Sequence, residues 1–278
     1  MIDIKNLNFN YGNKRRPLFR ELDCQINAGS IVGLLGKNGV GKTTLLKLMI
    51  GLLFPDGGTV NVNNYEPGKR QPAFLEDMFF VSEEFYLPGI SIKNFIKANA
   101  GFYPRFDGAL LQRLLKDFEL PETESLQKLS YGQKKKFLIS FALSTKCRLL
   151  VLDEPTNGLD IPSKSIFRRV LAGALDEDQL VIISTHQVKD VENLIDRIIM
   201  LENGQFIMQK DLYDISSLLH FSTSATAEGD DILYSEMVPG GYKVITSQSN
   251  GNMNSSVDIE LLFNAILSGN EKLKSHVQ

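Results

Sequence analysis

A glycine-rich sequence near the N-terminus places the tightest constraint on what this chain can fold into. Residues 36–43 are Gly-Lys-Asn-Gly-Val-Gly-Lys-Thr, which matches the pattern of a P-loop. The apolar run at residues 29–35 is typical of a short buried strand, and residues 44–53 have the apolar density of a helix packed on a sheet. A strand, a glycine-rich loop and a helix in this order indicate an α/β fold with a phosphate-binding loop.

The residue types in this loop suit the phosphates of ATP. Its glycines let backbone N–H groups turn towards phosphate oxygens, and the helix that begins there adds the positive end of its dipole. The ammonium group of Lys42 is placed to neutralise the β- and γ-phosphates, which makes it a candidate catalytic residue, and the Thr43 hydroxyl is placed to ligate Mg²⁺. We predict that the ATP-binding residues of this loop are Gly36, Lys37, Asn38, Gly39, Val40, Gly41, Lys42, Thr43 and Thr44.

Two adjacent carboxylates follow a second apolar run, residues 149–152. The carboxyl ends of strands are where an α/β sheet binds its ligand, so Asp153 and Glu154 are expected near the P-loop. Asp153 would enter the shell of the Mg²⁺ ion, and Glu154 would polarise an attacking water molecule. Acidic residues are common at solvated strand ends, so the motif gains its meaning from the presence of the P-loop.

Apolar runs that alternate with helical segments extend this pattern along the chain. Residues 78–81, 148–152 and 180–184 are predicted strands, and residues 91–146 have helical spacing throughout. Asn203-Gly204, between two apolar runs, predicts a β-hairpin. Buried strands that alternate with helices indicate a parallel sheet, and antiparallel pieces at both ends make the predicted fold class mixed α/β.

Composition changes after about residue 215. Residues 222–231 are small and polar, which predicts a loop or linker, and two short strand-like runs follow. An amphipathic helix is predicted over residues 257–263, with Ser255 as its N-cap. We predict that residues 216–278 form a small accessory region of mixed structure.

Charge and cysteine content restrict the function classes. The formal net charge is -3, which gives no electrostatic reason to expect nucleic acid as a partner. Cys24 and Cys147 lie far apart without metal-ligand spacing, so we expect reduced core residues in a cytoplasmic protein. The N-terminal residues lack the basic start and the apolar run that are typical of a signal peptide. No apolar stretch approaches the ~20 residues of a membrane span. We therefore expect a soluble chain.

Residues 129–133, Leu-Ser-Tyr-Gly-Gln, lie between the P-loop and the Asp-Glu strand. Here the chain resembles the ATP-binding-cassette (ABC) ATPase family, whose signature is Leu-Ser-Gly-Gly-Gln, although Tyr131 replaces the first glycine. Ser130 and Gln133 also have the spacing of a capping box at a helix start. Both interpretations are compatible, because a helix N-terminus with a hydroxyl is a good phosphate ligand. By the resemblance, Ser130, Gly132 and Gln133 would bind the ATP held by a partner chain.

The resemblance implies roles for three further residues. Tyr11, after an N-terminal apolar run, matches the aromatic residue that stacks on adenine in the family, although a tyrosine at a strand end is common. Asp160 closes a segment, residues 157–160, that is similar to the D-loop, which contacts the partner's site. His186 follows the predicted strand at residues 180–184 and matches the switch histidine that contacts the γ-phosphate.

Glu83 stands where the family has the glutamine of the Q-loop. A carboxylate near the γ-phosphate would add negative charge unless the metal offsets it, so Glu83 is a candidate ligand of Mg²⁺ with Thr43 and Asp153. Glu84 leaves the register open by one residue. The apolar segment that follows, residues 85–90, is compatible either with packing inside the domain or with a docking surface for another protein.

The resemblance also implies an architecture and a partner arrangement. It covers residues 1–215, which would comprise a P-loop NTPase core with a mixed, mainly parallel sheet, an antiparallel N-terminal β subdomain and a helical signature subdomain over residues 91–146. One subunit's P-loop would face the other subunit's signature across ATP. We therefore expect a dimer of ATP-binding subunits that closes on ATP and opens after hydrolysis. A homodimer is expected, and a heterodimer of related chains is left open.

Three function classes are compatible with such a domain. The first is the motor subunit of an ABC transporter, bound to a separate membrane permease on the inner face of the cell membrane. The second is a soluble ABC ATPase of translation or assembly, but the translation members usually carry two cassettes. The third is a DNA-maintenance ATPase with long coiled coils, whereas only 88 positions separate Lys42 from Ser130. We predict the transporter class and, from the C-terminal region and Glu83, an exporter, with the substrate left open.

Overall fold

The computed structural model describes residues 1–12, 17–229, 231–247 and 256–277. A six-stranded sheet in the order β5-β6-β7-β3-β8-β9 forms its centre, and every neighbouring pair is parallel except the β8–β9 hairpin. The interior strands are apolar on both faces, as expected for strands covered on two sides. Their bounds are β3 Ser30–Leu35, β5 Met78–Val81, β6 Leu149–Asp153, β7 Leu180–Thr185, β8 Arg197–Glu202 and β9 Gln205–Asp211.

Helices surround this sheet and connect its strands. The fold class of the sequence prediction is therefore confirmed: a P-loop NTPase core with a mixed, mainly parallel sheet. The helices are α1 Lys42–Met49, α2 Pro72–Leu75, α3 Ile92–Asn99, α4 Gly108–Asp117, α5 Tyr131–Ser144, α6 Ile161–Ala174, α7 Leu212–Leu218, α8 Ile259–Leu267 and α9 Glu271–Val277. In the described part of the chain, no helix is both long and apolar enough to cross a membrane.

A three-stranded antiparallel sheet lies against one side of the core, in the order β2-β1-β4. Its strands are β1 Ile2–Phe9, β2 Phe19–Ile26 and β4 Gly57–Val62. Inward-facing side chains such as Ile4, Leu22 and Val60 pack with α1 and with one face of the central sheet. This is the antiparallel N-terminal subdomain expected from the sequence.

The segment between β5 and β6 contains helices α3, α4 and α5 and no described strand. Its centre is aromatic: Phe95 and Phe137 pack edge-on, with ring centroids 5.2 Å apart, and Phe95 also contacts Phe141 at 5.3 Å. Side-chain caps on Ser91 and Asp107 fix the first turns of α3 and α4. Helix α5 then runs from this cluster to the edge of the central sheet.

The C-terminal region is a second antiparallel sheet with helices α8 and α9. Its strands, β10 Leu219–Ser224, β11 Ile232–Val238 and β12 Gly241–Ser247, are ordered β10-β12-β11. The loop predicted over residues 222–231 is thus shorter, because residues 222–224 pair with β12. Ser255, the predicted N-cap, lies outside the described residues, and the side chain of Asp258 caps α8 by accepting from the Leu261 N–H at 2.9 Å. Buried side chains of this region belong to the same apolar core as one face of the central sheet.

Candidate functional site

The P-loop connects the end of β3 to the start of α1, as the sequence predicted. Gly41, the residue before α1, has a φ of 109°, which favours glycine, and a Cβ there would lie 2.8 Å from the ring of Phe19. A Cβ on Gly36 would lie 2.6 Å from the carbonyl oxygen of Leu201. The backbone of the loop therefore runs close to its neighbours at both glycines.

Lys42, the first residue of α1, points back across this loop. Its Nζ donates to the carbonyl oxygens of Gly36 at 2.8 Å and Lys37 at 3.3 Å, and it lies 3.8 Å from Glu154 Oε1. Burial lowers the pKa of Lys42, while the nearby carboxylates of Glu154, Asp153 and Glu83 act in the opposite direction. The ammonium group is thus held at the centre of the loop, next to carboxylates from other elements.

Thr43 and Asp153 place two oxygen donors side by side. The Thr43 hydroxyl donates to Asp153 Oδ2 at 2.8 Å, and the other carboxylate oxygen accepts from the hydroxyl of Ser184 on β7. Hard oxygen donors of this kind fit Mg²⁺, which is usually held by one or two carboxylates together with substrate phosphates. The described residues contain no group of three His, Cys, Asp or Glu side chains arranged to hold a metal ion.

Glu154 begins the loop after β6 and is held from several directions. Its Oε1 accepts from the backbone N–H of His186 at 3.1 Å and lies 2.8 Å from His186 Nδ1, while Oε2 accepts from the Thr185 hydroxyl at 3.2 Å. The backbone of Glu154 has a φ of 46°, in the left-handed region that is uncommon for a non-glycine residue. Such strain persists where surrounding contacts fix the conformation, and it is frequent at functional sites.

A pocket of about 410 Å³ lies in front of these groups. Glu83, from the loop after β5, is part of its lining together with His186 and Tyr11, whereas Glu84 is not. The hydroxyl groups of Tyr11 and Thr44 lie 3.0 Å apart at its rim. The predicted residues that line it are Tyr11, Asn38, Gly39, Gly41, Lys42, Thr43, Thr44, Glu83, Glu154 and His186, with Leu18 in addition.

The signature segment lies outside this pocket lining. Ser130 and Gln133 form both hydrogen bonds of a capping box: Gln133 N donates to Ser130 Oγ at 3.2 Å, and Ser130 N donates to Gln133 Oε1 at 2.9 Å. Gly132 lies against Gly158, whose carbonyl oxygen would be 2.9 Å from a Cβ at position 132. In one chain, these residues therefore do not complete the site around Lys42.

Asp160 is also outside the pocket, at the start of α6. Its side chain accepts from the Ser163 N–H at 2.9 Å and so caps the helix. Hydrogen bonds from Ser163 lower the pKa of Asp160 below its ordinary value. The aspartate is therefore ionised at neutral pH at an exposed edge next to the signature segment.

The sequence did not indicate the residues that fix the pocket carboxylates and their loops in position. Ser184 and Thr185 anchor the two carboxylates, and Asn157 Nδ2 donates to Glu83 Oε1 at 2.9 Å. Lys135 on α5 is fully buried, and burial lowers its pKa to about 8. Ser184 and Thr185 could have been found as hydroxyl groups at the end of an apolar strand, but no signal distinguished Lys135 from the lysines beside it.

Comparisons with known proteins agree with this geometry. A family model described as ABC transporter matches residues 19–157. The chain is 31% identical over 222 residues to the SkfA peptide export ATP-binding protein SkfE of Bacillus subtilis, covering 77% of this chain and 89% of that protein. It is 32% identical over 209 residues to the molybdate import ATP-binding protein MolC of Haemophilus influenzae, covering 74% and 80%.

The fold has matching solved structures as well. A structure described as the ATP binding subunit of an ABC transporter superposes with a TM-score of 0.70 at 24% identity, covering 77% of this chain and 91% of that one. At this identity the similarity concerns the fold, which is the one the central sheet and the P-loop had indicated.

Proposed function

The chain belongs to the ABC transporter family, and we propose that it is the ATP-hydrolysing subunit that drives a separate membrane permease, acting as an ATP-closed dimer. ATP binding and hydrolysis are the activity of this family, and the chain is an ATPase on that ground. The roles of single residues, the partner chains and the direction of transport are our proposals. The position of Glu154 is the observation that carries the proposed hydrolytic mechanism.

Burial, orientation and contact with the pocket support Glu154 as the general base. Its carboxylate is buried but reaches the same pocket as the P-loop, 3.8 Å from Lys42 Nζ. Hydrogen bonds from Thr185 and from the His186 backbone fix its orientation. It would therefore accept a proton from a water molecule placed between it and the γ-phosphate, while Lys42 and the loop N–H groups hold the phosphate charge.

Mg²⁺ fits beside this base. Thr43 and Asp153 would hold the ion, and Glu83 faces the same space. When bound, the ion neutralises phosphate charge and polarises the transferred group. Asn157 Nδ2 donates to Glu83 Oε1 and so fixes the orientation of the Glu83 side chain towards this space.

A second copy of the chain would complete the site. Ser130, Gly132 and Gln133 lie at a helix N-terminus that does not line the pocket of its own chain, and such an N-terminus binds anions. Two-fold symmetry would bring this helix to the ATP of the partner in two equivalent sites, with Asp160 at the contact between the chains. We propose a homodimer on these grounds.

The permease partner follows from the family rather than from a contact. We propose that the chain lies on the inner face of the cell membrane through that permease and serves an exporter, as SkfE does in name. MolC is named for import, so the direction rests on the C-terminal region and on Glu83. The alternative is a soluble ABC ATPase of translation or assembly.

We also propose that the chain divides into an ABC ATPase domain, residues 1–215, and an accessory region, residues 216–278.

Co-purification distinguishes these alternatives. The chain would be co-expressed with a polytopic membrane protein encoded beside it, and the complex extracted in detergent. We expect a complex with two copies of this chain and an ATPase rate that requires Mg²⁺. A chain that hydrolyses ATP but purifies with ribosomes or alone, with no such membrane protein encoded nearby, would favour the soluble class.

A further inference from the structure

Lys135 is an unusual residue because its side chain is fully buried, at 0% exposure, on the helix that the signature begins. Lysine is almost never fully buried unless its charge has partners. Its Nζ donates to two main-chain carbonyl oxygens, that of Ser82 at 3.3 Å and that of Asp153 at 3.4 Å. These contacts connect α5 to the loop after β5 and to the last residue of β6, at the carboxyl edge of the central sheet.

Both carbonyl groups occupy special positions in the chain. Ser82 directly precedes Glu83, and Asp153 directly precedes Glu154, so one ammonium group holds the peptide units that carry the two pocket carboxylates. A shift of α5 would therefore displace the segments that contain Glu83 and Glu154 together.

Tyr131 reaches the first of these segments from one turn earlier on the same face of α5. Its hydroxyl donates to the carbonyl oxygen of Glu83 at 2.9 Å. Its ring stacks on that of Phe85, with centroids 5.4 Å apart and planes inclined by 22°, and Lys135 Nζ lies 5.5 Å from the centroid of the same Phe85 ring. The two α5 side chains therefore hold Ser82, Glu83 and Phe85 together.

The neighbouring D-loop is shaped to admit the tyrosine. Gly158 lies against the Tyr131 ring, and a Cβ at this glycine would come within 2.5 Å of it. Gly158 also has a φ of +79°, which favours glycine. A glycine in place of Tyr131 would make neither the stacking contact nor the hydrogen bond, so both depend on the residue by which this signature differs from Leu-Ser-Gly-Gly-Gln.

We propose that Tyr131 and Lys135 are positioning residues, which couple the orientation of the signature helix to the placement of Glu83 and Glu154. The proposal rests on the hydrolytic function proposed above. When the helix N-terminus engages the ATP of a partner chain, the same helix sets the two carboxylates of its own site. Hydrolysis in one site would thereby depend on closure around the other.

Steady-state kinetics of Lys135→Met and Tyr131→Phe test this coupling in the full chain. Because a misplacement of about 1 Å can cost about a hundredfold in rate, we expect Lys135→Met to lower kcat about ten- to a hundredfold. Tyr131→Phe keeps the ring stacking and loses one hydrogen bond, so we expect a decrease of about threefold. Nucleotide Kd and bound stoichiometry should stay at the wild-type values, because Lys42 and the P-loop are unchanged.

A double-mutant cycle separates positioning from general stability. If Lys135 acts through Glu154, Lys135→Met should lower the residual rate of a Glu154→Gln background by much less than it lowers the wild-type rate. Lys116→Met, on the exposed side of α4, is the matched control and should leave kcat unchanged.

Wild-type hydrolysis, measured alongside, tests the underlying function separately. A wild type without ATPase activity would overturn the hydrolytic function and this proposal with it. An active wild type with kcat within about twofold in both variants would overturn the coupling alone. Equal losses in nucleotide binding and kcat would also overturn it, since they indicate a structural role. If Lys135→Met does not fold, the kcat of Tyr131→Phe tests the coupling, because this variant keeps the buried ammonium group of Lys135.

Discussion

Glu154 and His186 are joined through one carboxylate oxygen: Glu154 Oε1 lies 2.8 Å from the imidazole Nδ1 and accepts the His186 backbone N–H at 3.1 Å. The end of β7 therefore determines where the carboxylate at the end of β6 points. The Nδ1 contact depends on the imidazole, whereas the N–H contact is made by the backbone. The contacts hold Glu154, the proposed base, and the His186 side chain as one unit at the pocket.

Replacement of Glu154 tests the base. Glu154→Gln keeps the shape of the side chain and removes its proton affinity, so we expect ATP turnover to fall by about two to four orders of magnitude. ATP binding should survive, because Lys42, Thr43 and Asp153 remain, and the variant should accumulate as an ATP-bound dimer. Phosphate release and gel filtration with ATP measure the two effects. Wild-type turnover in this variant would remove Glu154 from the mechanism.

Replacement of Thr43 tests the metal site. The Thr43 hydroxyl lies 2.8 Å from Asp153 Oδ2, so Thr43→Ala removes one of two adjacent oxygen donors. We expect the Mg²⁺ concentration for half-maximal hydrolysis to rise about tenfold or more. Thr43→Ser, which restores the hydroxyl, is the control and should return it to near the wild-type value. An unchanged Mg²⁺ requirement in Thr43→Ala would place the ion elsewhere.

Replacement of Ser130 tests the partner site. Ser130 caps α5 but does not line the pocket of its own chain, so Ser130→Arg should abolish hydrolysis and leave nucleotide binding to the monomer. The loss of the cap should cost about 1 kcal/mol of stability, which a thermal melt measures. Ser130→Ala has the same cap loss without the bulk, so it separates the effect of the lost hydroxyl from that of the added arginine side chain. Equal loss of monomer binding would mean that Ser130 supports the same-chain site instead.

The sequence predicted the residues that line the pocket better than the residues that hold them in position. The P-loop and the Asp153-Glu154 pair combine local pattern with local chemistry, so their strand, loop and helix could be recognised directly. Lys135 could not, because its partners are main-chain carbonyl groups distant in sequence, 53 and 18 residues away. A burial pattern does not reveal which lysine will turn inwards.

The C-terminal region shows a related limit of pattern reasoning. Residues 222–224 are small and polar, which indicated a loop, yet they pair with β12. Their strand conformation comes from this cross-strand pairing rather than from their own propensity. The helix of the same region was predicted over residues 257–263 and extends over Ile259–Leu267, because its apolar spacing is set by the core that it covers.

That shared core gives a prediction about stability. Leu262 on α8 is fully buried in the apolar cluster that also contains Ile183 of the central sheet. We expect Leu262→Ala to lower the free energy of unfolding by about 2–5 kcal/mol and to shift one cooperative transition. Calorimetry measures both the loss of stability and the number of unfolding transitions. A separate early transition, with the ATPase domain melting as in wild type, would show instead that residues 216–278 unfold independently.

The segment after Glu83, residues 85–90, was compatible with packing inside the domain or with docking of another protein, and its residues divide between these two roles. Leu87 is buried at 6% exposure, and Phe85 packs on Tyr131, so these residues support the fold. Tyr86 is 81% exposed in the loop between β5 and α3, where its hydroxyl accepts from Gln127 Nε2 at 3.4 Å. Exposed aromatic residues of this kind are frequent anchors of protein interfaces. Only Tyr86 is therefore a suitable probe of permease docking.

We expect Tyr86→Ser to weaken co-purification with the permease about tenfold or more, since an aromatic anchor at an interface contributes about 2 kcal/mol or more. The basal ATPase rate and the melting temperature of the isolated chain should stay close to wild type, because substitution of an exposed side chain changes stability by about 0.5 kcal/mol or less. Tyr213→Ser is the matched control: this tyrosine is 75% exposed on α7, away from the helical segment. Equal complex formation by wild type and Tyr86→Ser would show that the permease docks on another surface.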